Sequence, residues 1–283
     1  MSTTALRRHH AGRTLANIVA LVVAVVWIFP VYWILNSSFQ PVTRLRGKDP
    51  AWLPFGAGRG FAAYGRVLDA DFWHSMRLSL IVTLLAVAVG LVFAFLAALA
   101  ITRFRLRGKT AFVIVILVVQ MIPAEALFIS QYKMLTAWSL SNTIIGLTLL
   151  YVAMILPFTV WMLRGFVAGI PAELEEAAMV DGCSRFRAFF SITFPLLAPG
   201  LVASGVYGFL QCWNEITIAT VVMSPDNSTV PLWLQGLTTV SDKAVDWPAV
   251  MAGATLVAVP VIALFLVVQN KMTSGLVGGA VKG

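Results

Sequence analysis

The chain has 283 residues, of which 59% are hydrophobic and 11% charged, and its formal net charge is +8. A soluble domain of this length would carry about twice that share of charge on its surface, so a soluble globular fold is excluded. The basic excess does not indicate nucleic-acid binding, because Lys and Arg gather in short stretches beside apolar runs, as at membrane flanks.

Apolar windows of about 20 residues, enough to cross a ~30 Å hydrocarbon core as a helix, recur at 16–35, 79–101, 111–132, 143–163, 198–221 and 248–269. Backbone groups in lipid must pair internally, so the spans are helices or a closed barrel. Barrel strands alternate over about 10 residues, and these runs are longer and continuously apolar. The expected fold is therefore an all-α membrane protein with six transmembrane helices, multi-pass in the lipid bilayer of the cell membrane.

The first run follows Arg7, Arg8 and Arg13 but contains Trp27, Pro30, Tyr32 and Trp33 and is followed by no small-residue cleavage site, so it reads as a retained helix. An irregular loop follows, marked by Pro50, Pro54, Gly56, Gly58 and Gly60, with a short helix expected around 61–68. The link after the second run is short and basic (Arg103, Arg105, Arg107, Lys109), and Arg164, Arg185, Arg187, Lys271 and Lys282 fall on the same side. The positive-inside rule places that side and both termini in the cytoplasm. Arg44, Arg46, Lys48, Arg59, Arg66 and Arg77 then lie outside, where Asp49, Asp69 and Asp71 offset part of their charge. The loop from Met223 to Trp247 is also external, with Trp233 and Trp247 suited to the headgroup level.

The expected organisation is a cytoplasmic tail at 1–15, a first helix and external loop at 16–71, a membrane domain at 72–270 carrying a cytoplasmic loop at about 165–196, and a cytoplasmic tail at 271–283. In the fifth run Gly200, Ser204 and Gly208 recur every fourth residue, so they share a face on which another helix can approach closely. Pro30, Pro123, Pro157 and Pro260 invite kinks. Cys183 lies in a loop and Cys212 in a span, so no disulfide is expected, and no metal site or catalytic cluster emerges. Gly108-Lys109-Thr110 looks like the tail of a phosphate-binding loop, but Arg103 stands where its first Gly belongs.

The loop before the fifth run has the pattern of a helix–turn–helix. Pro171 suits a first helical position, and Glu173, Glu175 and Glu176 suit the positive end of a helix dipole. Leu174, Ala177 and Ala178 fall on one face, which the alanines leave shallow enough for another protein to approach. Gly182 can end the helix in the left-handed region, and Ser184 can cap the next. On that second helix Phe186, Phe189, Phe190 and Phe194 form an apolar stripe.

The segment Glu176-Ala177-Ala178-Met179-Val180-Asp181-Gly182, followed by Ile192 and Pro195, resembles the EAA loop of the membrane subunits of bacterial ABC importers. That pattern is E-A-A, three residues, G, nine residues and I-x-L-P, and the departure is Phe194 in place of Leu. Asn36-Ser37-Ser38-Phe39, Arg103-Phe104-Arg105, Met121-Ile122-Pro123, Trp213-Asn214-Glu215 and the tail Gly279–Gly283 look like the second permease subunit of carbohydrate importers, the maltose-permease-like branch. Within it, Glu175–Arg185 and Phe194–Gly200 look most like diacetylchitobiose permeases of actinobacteria.

The resemblance implies the type I ABC importer permease fold. It also implies a second permease subunit making a heterodimeric pore, two ABC ATPase subunits that hold the ATP and Mg, and an extracytoplasmic sugar-binding protein. Glu176, Ala177, Ala178, Asp181, Gly182, Ile192 and Pro195 would dock the ATPase. This chain would be a transport subunit, not an enzyme, with no cofactor of its own.

An ionisable residue within a span is costly and faces a cavity or a partner. Trp213, Asn214 and Glu215, with Gln120 and Glu125 in the third run, are therefore the candidates for the translocation path or gate. The alternative for Trp213-Asn214-Glu215 is a polar knot between helices. Two rival functions stand beside sugar import. One is an ABC importer for another solute such as glycerol phosphate. The other is an ion-gradient-driven transporter, which predicts inverted repeats and paired mid-membrane acids, of which the sequence offers no repeat and one clear acid, Glu215.

Overall fold

The structure is a computed structural model that describes residues 3–45, 47, 51–53, 60–239 and 244–280, without the side chains of 3–12, 124, 125 and 270–280. Within these residues it is all helix. The first elements are α1 (Thr3–Ser38), α2 (Val42–Leu45), α3 (Ala62–Val67), α4 (Ala70–Arg103) and α5 (Lys109–Gln120). A 3₁₀ turn (Ala124–Leu127), α6 (Phe128–Ala137), α7 (Ile144–Ala168), α8 (Glu173–Val180) and α9 (Arg185–Ala188) follow. A π-helical segment (Phe189–Thr193) leads into α10 (Phe194–Trp213), then α11 (Thr217–Val222), a 3₁₀ turn (Pro225–Asn227), α12 (Val230–Gly236) and α13 (Trp247–Ala280).

Five stretches among the described residues are long and apolar enough to cross a membrane: Arg13–Ser38, Ala70–Arg103, Ile144–Ala168, Arg185–Trp213 and Trp247–Gln269. The expected span at 111–132 differs, for it is not one helix. The backbone N–H groups of Met121 and Ile122 close back onto Val118 and Val119, and α5 ends there. Pro123 then takes an extended ψ of 127°; it has no N–H to donate and it biases the residue before it away from the helical region. Glu125 and the ends of the chain (Lys282 and the last three residues) lie outside the described side chains, as do Arg46, Lys48, Asp49, Pro50, Pro54, Gly56, Gly58 and Arg59 of the loop.

The chain divides into two compact units, Met1–Asp69 with Leu234–Ala258, and Ala70–Trp233 with Val259–Gly283. In the first, residues 51–53 are held by α1 and the turn after it. Asn36 Nδ2 and Gln40 Nε2 both donate to the Ala51 carbonyl at 2.8 Å, and Tyr32 donates to the Trp52 carbonyl. Trp33 and Trp52 meet edge to face at 5.6 Å. Arg66 on α3, in the positively charged stretch, is neutralised by a fork onto Asp246 at 2.9 and 3.3 Å.

In the second unit α4 and α7 form the central pair, with α10 packed against both. One core layer is Leu78, Val82, Ala86, Leu147, Tyr151, Ile155 and Cys212. The other, toward the α4 C-terminus, is Ala94, Ala98, Ile101, Val160, Leu163, Val167 and Leu197. The small-residue face of α10 does what its spacing predicts. Gly200 lies so close to Phe166 that a Cβ would overlap the ring, Ser204 donates to Met162 Sδ at 3.2 Å, and Gly208 faces Ile155 and Val87. The opposite faces of the spans carry exposed Leu, Val, Ile and Phe, which need lipid or a partner to cover them.

Candidate functional site

At the end of the unit where α4 finishes, α8 and α9 make a helix–turn–helix. The α8 helix starts at Glu173, two residues after the expected Pro171, within the ordinary uncertainty of a helix end. Its turn is built by Gly182 at φ +90°, a backbone conformation that a side chain resists. Asp181 N–H returns to Ala177 O at 3.0 Å and Cys183 N–H to Ala178 O at 3.0 Å, so the loop closes on itself. Ser184 caps α9, accepting from Arg187 N–H at 3.3 Å.

The loop exposes large apolar side chains beside its charged ones. Leu174, Met179, Val180, Phe186 and Phe190 are all exposed, Val180 at 88% and Phe186 at 74%. Glu176, Ala177, Asp181 and Gly182 are exposed on it, and Pro195 is exposed at the start of α10. The structure corrects one expectation here, that Ala178 shares the approachable face. Ala178 is buried at 8%, so it packs inward and leaves Ala177 as the small exposed residue. Ile192 is half-buried in the π-helical segment. This segment fuses α9 to α10 into one continuous rod, so the phenylalanine stripe runs straight into the span. Phe186 packs tilted against Phe190 at 4.6 Å, Phe190 against Phe194 at 5.5 Å, and Phe189 against Phe95 of α4 at 6.0 Å.

The residue that anchors α8 is not among the sequence candidates. Glu175 Oε1 accepts from Thr193 Oγ1 at 2.6 Å and lies 3.4 Å from Arg103 Nη2. The same Nη2 donates to the Ile170 carbonyl at 3.1 Å. Arg103 and Glu175 have side chains only 17% and 14% exposed. The available signal was the scarcity of charge: an Arg at a span end and a Glu one residue before the EAA pattern have few other partners.

The translocation candidates separate. Trp213 is 2% exposed and lies flat on Phe209, centroids 5.5 Å apart with an interplanar angle of 10°. In this conformation its ring is covered and offers no open face to a solute. Asn214 and Glu215 stop α10. Asn214 Nδ2 takes the Leu210 carbonyl at 2.8 Å, competing with the helical ladder. Glu215 turns onto the next helix, accepting from the N–H groups of Thr217, Ile218 and Ala219 at 2.8, 2.8 and 3.2 Å, and from Tyr151 Oη at 3.2 Å. A carboxylate at a helix N-terminus is well placed. This is the knot reading of Glu215, while Asn214 remains exposed beside the break. Gln120 is exposed as the last residue of α5, at the other break, and forms no hydrogen bond to these residues among those described.

At the opposite end of the unit Asn142, with φ +56°, gathers the 223–228 loop. Its Oδ1 accepts from Ser224 N–H and Oγ at 3.1 and 3.2 Å, and its carbonyl from Asn227 Nδ2 at 3.2 Å. Asn227 also meets His74 at 3.0 Å, so the Asn-Ser-Thr sequence is built into a polar junction.

Long apolar helices beside a helix–turn–helix that exposes large apolar side chains define a multi-pass membrane protein. The chain belongs to the family of binding-protein-dependent transport system inner membrane components, which it matches over residues 90–273. It is 41% identical to the diacetylchitobiose uptake system permease protein DasC of Streptomyces coelicolor, over 98% of this chain and 100% of that one. It is 32% identical to the sulfoquinovosyl glycerol transport system permease protein SmoH of Agrobacterium fabrum, over 100% of both. It is 31% identical to the trehalose transport system permease protein SugB of Mycobacterium tuberculosis, over 90% of this chain and 93% of that one.

The fold is that of a type I ABC importer permease. It superposes with a TM-score of 0.77 on a chain of a bacterial ABC transporter involved in the import of the acidic polysaccharide alginate, at 22% identity, covering 93% of this chain and 97% of that one. The chain is thus a membrane transport component, not an enzyme.

Proposed function

We propose that this chain is the permease subunit of an ATP-driven, binding-protein-dependent importer of a sugar or oligosaccharide. It forms half of the translocation pore beside a second, similar permease subunit. Two ATPase subunits carry the ATP and Mg and bind at the loop between α7 and α10, which faces the cytoplasm together with both chain termini. A sugar-loaded binding protein engages the opposite face. The halves of the broken third run, α5 and α6, together cross the membrane as the sixth span.

The observation that carries this reading is the loop itself. Val180 and Phe186 stand exposed on it, and Gly182 at φ +90° gives its turn a fixed shape. A surface of this kind needs a partner. The diacetylchitobiose, sulfoquinovosyl glycerol and trehalose systems named for the relatives support a glycoside as the solute. Closure of the ATPase pair on ATP pushes the two docking loops together, and the rod from α9 into α10 carries that motion into the membrane.

The test is ATP hydrolysis by the complete copurified assembly in liposomes, with the binding protein loaded in turn with diacetylchitobiose, trehalose and other sugars. Hydrolysis is expected to rise with a loaded binding protein, and Gly182→Trp should abolish the stimulation. Glu176→Ala should weaken it severalfold, by removing a carboxylate offered to the ATPase. If no ATPase copurifies, or if hydrolysis ignores both changes, the reading fails.

A further inference from the structure

One carboxylate oxygen joins three elements of the docking end. Glu175 Oε1, on α8, takes the Thr193 hydroxyl at 2.6 Å and faces Arg103 Nη2 at 3.4 Å. Thr193 is fully buried in the π-helical segment that leads into α10, and Arg103 is the last residue of α4. The ion pair is not closed. Its contact is longer than the 2.7–2.9 Å usual for a charge-assisted bond, and Arg103 Nε is buried without a hydrogen-bond partner. A guanidinium can engage a carboxylate through two parallel donors, and here one prong is used. Beside the pair lies a cavity of about 380 Å³ lined also by Leu99, Phe104, Arg185, Phe186 and Phe189. A small displacement of α8 therefore has room to occur, and it would offer Glu175 the idle Nε donor.

We propose that Arg103 and Glu175 are positioning residues of the transport cycle, forming a clasp that passes displacement of α8 to α4 and α10. The half-engaged pair of this conformation becomes a bidentate pair when the docked ATPase moves the loop. The clasp rests on the docking reading above. It assigns the loop two jobs in different residues: the exposed face holds the ATPase, and Glu175, turned inward, transmits.

The experiment uses the complete assembly in liposomes, in a background with Cys183→Ser and Cys212→Ala, carrying Asn214→Cys as a reporter at the end of α10. The rate of reaction with a polar maleimide is compared before and after trapping with ATP and vanadate, so no sugar is needed. Glu175→Gln and Arg103→Gln should each leave the ATPase in the complex yet reduce the trapping-dependent change in labelling at least tenfold. The exchange of Arg103→Glu with Glu175→Arg should restore part of it.

A full labelling change in both single variants overturns the clasp. So does loss of the ATPase in them, which would mean that Glu175 only shapes the docking face, and so does an exchange no better than the single changes. Gly182→Trp separates the two levels: it should lose the ATPase. If it keeps both ATPase and labelling change, or if wild type shows no labelling change, the docking reading falls and the clasp with it.

Discussion

At the scale of single residues the charges of this chain have structural assignments that composition does not disclose. Glu215 is the clearest. It lies in an apolar stretch, where an ionised group is costly unless paired, and it is satisfied by three backbone N–H groups of α11 and the Tyr151 hydroxyl. Removing a capping side chain costs about 0.5–2 kcal/mol. Glu215→Ala should therefore lower the thermal stability of the purified complex by that order, whereas Glu215→Gln, which keeps one acceptor oxygen, should lose less. Equal stability of Glu215→Ala and wild type in a thermal unfolding scan would count against the cap. Trp213 was legible as a candidate for the path or gate, but its burial was not. Phe209 stands four residues earlier on the same helix, a pairing the helical period offers; that this side of α10 turns into the bundle is what spacing along one helix does not reveal.

At the scale of elements, helix ends follow local chemistry and helix contacts follow size. Gly182 and Ser184 are placed in the sequence where the turn and the cap need them, and both take those roles. Gly200 shows the packing counterpart, since the Phe166 ring occupies the space a Cβ would need. Gly200→Leu should overpack the α7–α10 contact and cost about 1–3 kcal/mol, seen as a lower midpoint of thermal aggregation with the helical circular dichroism signal retained. An unchanged midpoint would mean that the two helices separate easily there.

The break of the third run was foreseeable in part. Pro123 was visible as a kink, but a kinked span and two helices joined by a 3₁₀ turn read alike in a hydropathy window. The fusion of α9 with α10 through a π-helical segment left no mark in the sequence. That geometry follows from Phe189, Phe194 and Thr193 finding Phe95 and Glu175 across the bundle.

At the scale of the whole molecule the arrangement proposed for the membrane can be tested by access. Cys183 lies on the loop assigned to the cytoplasm, and Asp226 is exposed on the opposite loop. With Cys212→Ala, Cys183 should react with an impermeant maleimide only after the cells are opened. In a background with Cys183→Ser as well, Asp226→Cys should react in intact cells. The reverse pattern would invert the topology and remove the loop from the ATPase side. The exposed Leu, Val and Phe of the span faces also belong to this scale. They need neighbours, lipid or a partner, that a single chain does not supply.

Composition and apolar length were enough to establish an all-helical membrane chain, and the spacing from Glu176 to Pro195 its likeness to importer permeases. Apolar length and a turn-forming glycine act locally, over windows that can be read in order. The clasp of Arg103, Glu175 and Thr193, the burial of Ala178 and Trp213, and the cap on α11 made by Glu215 emerge only from the folded bundle. Each depends on pairs brought together across helices, or on which way a helix face turns. In a chain so poor in charge the few polar groups must find one another wherever the packing of α4, α7 and α10 carries them.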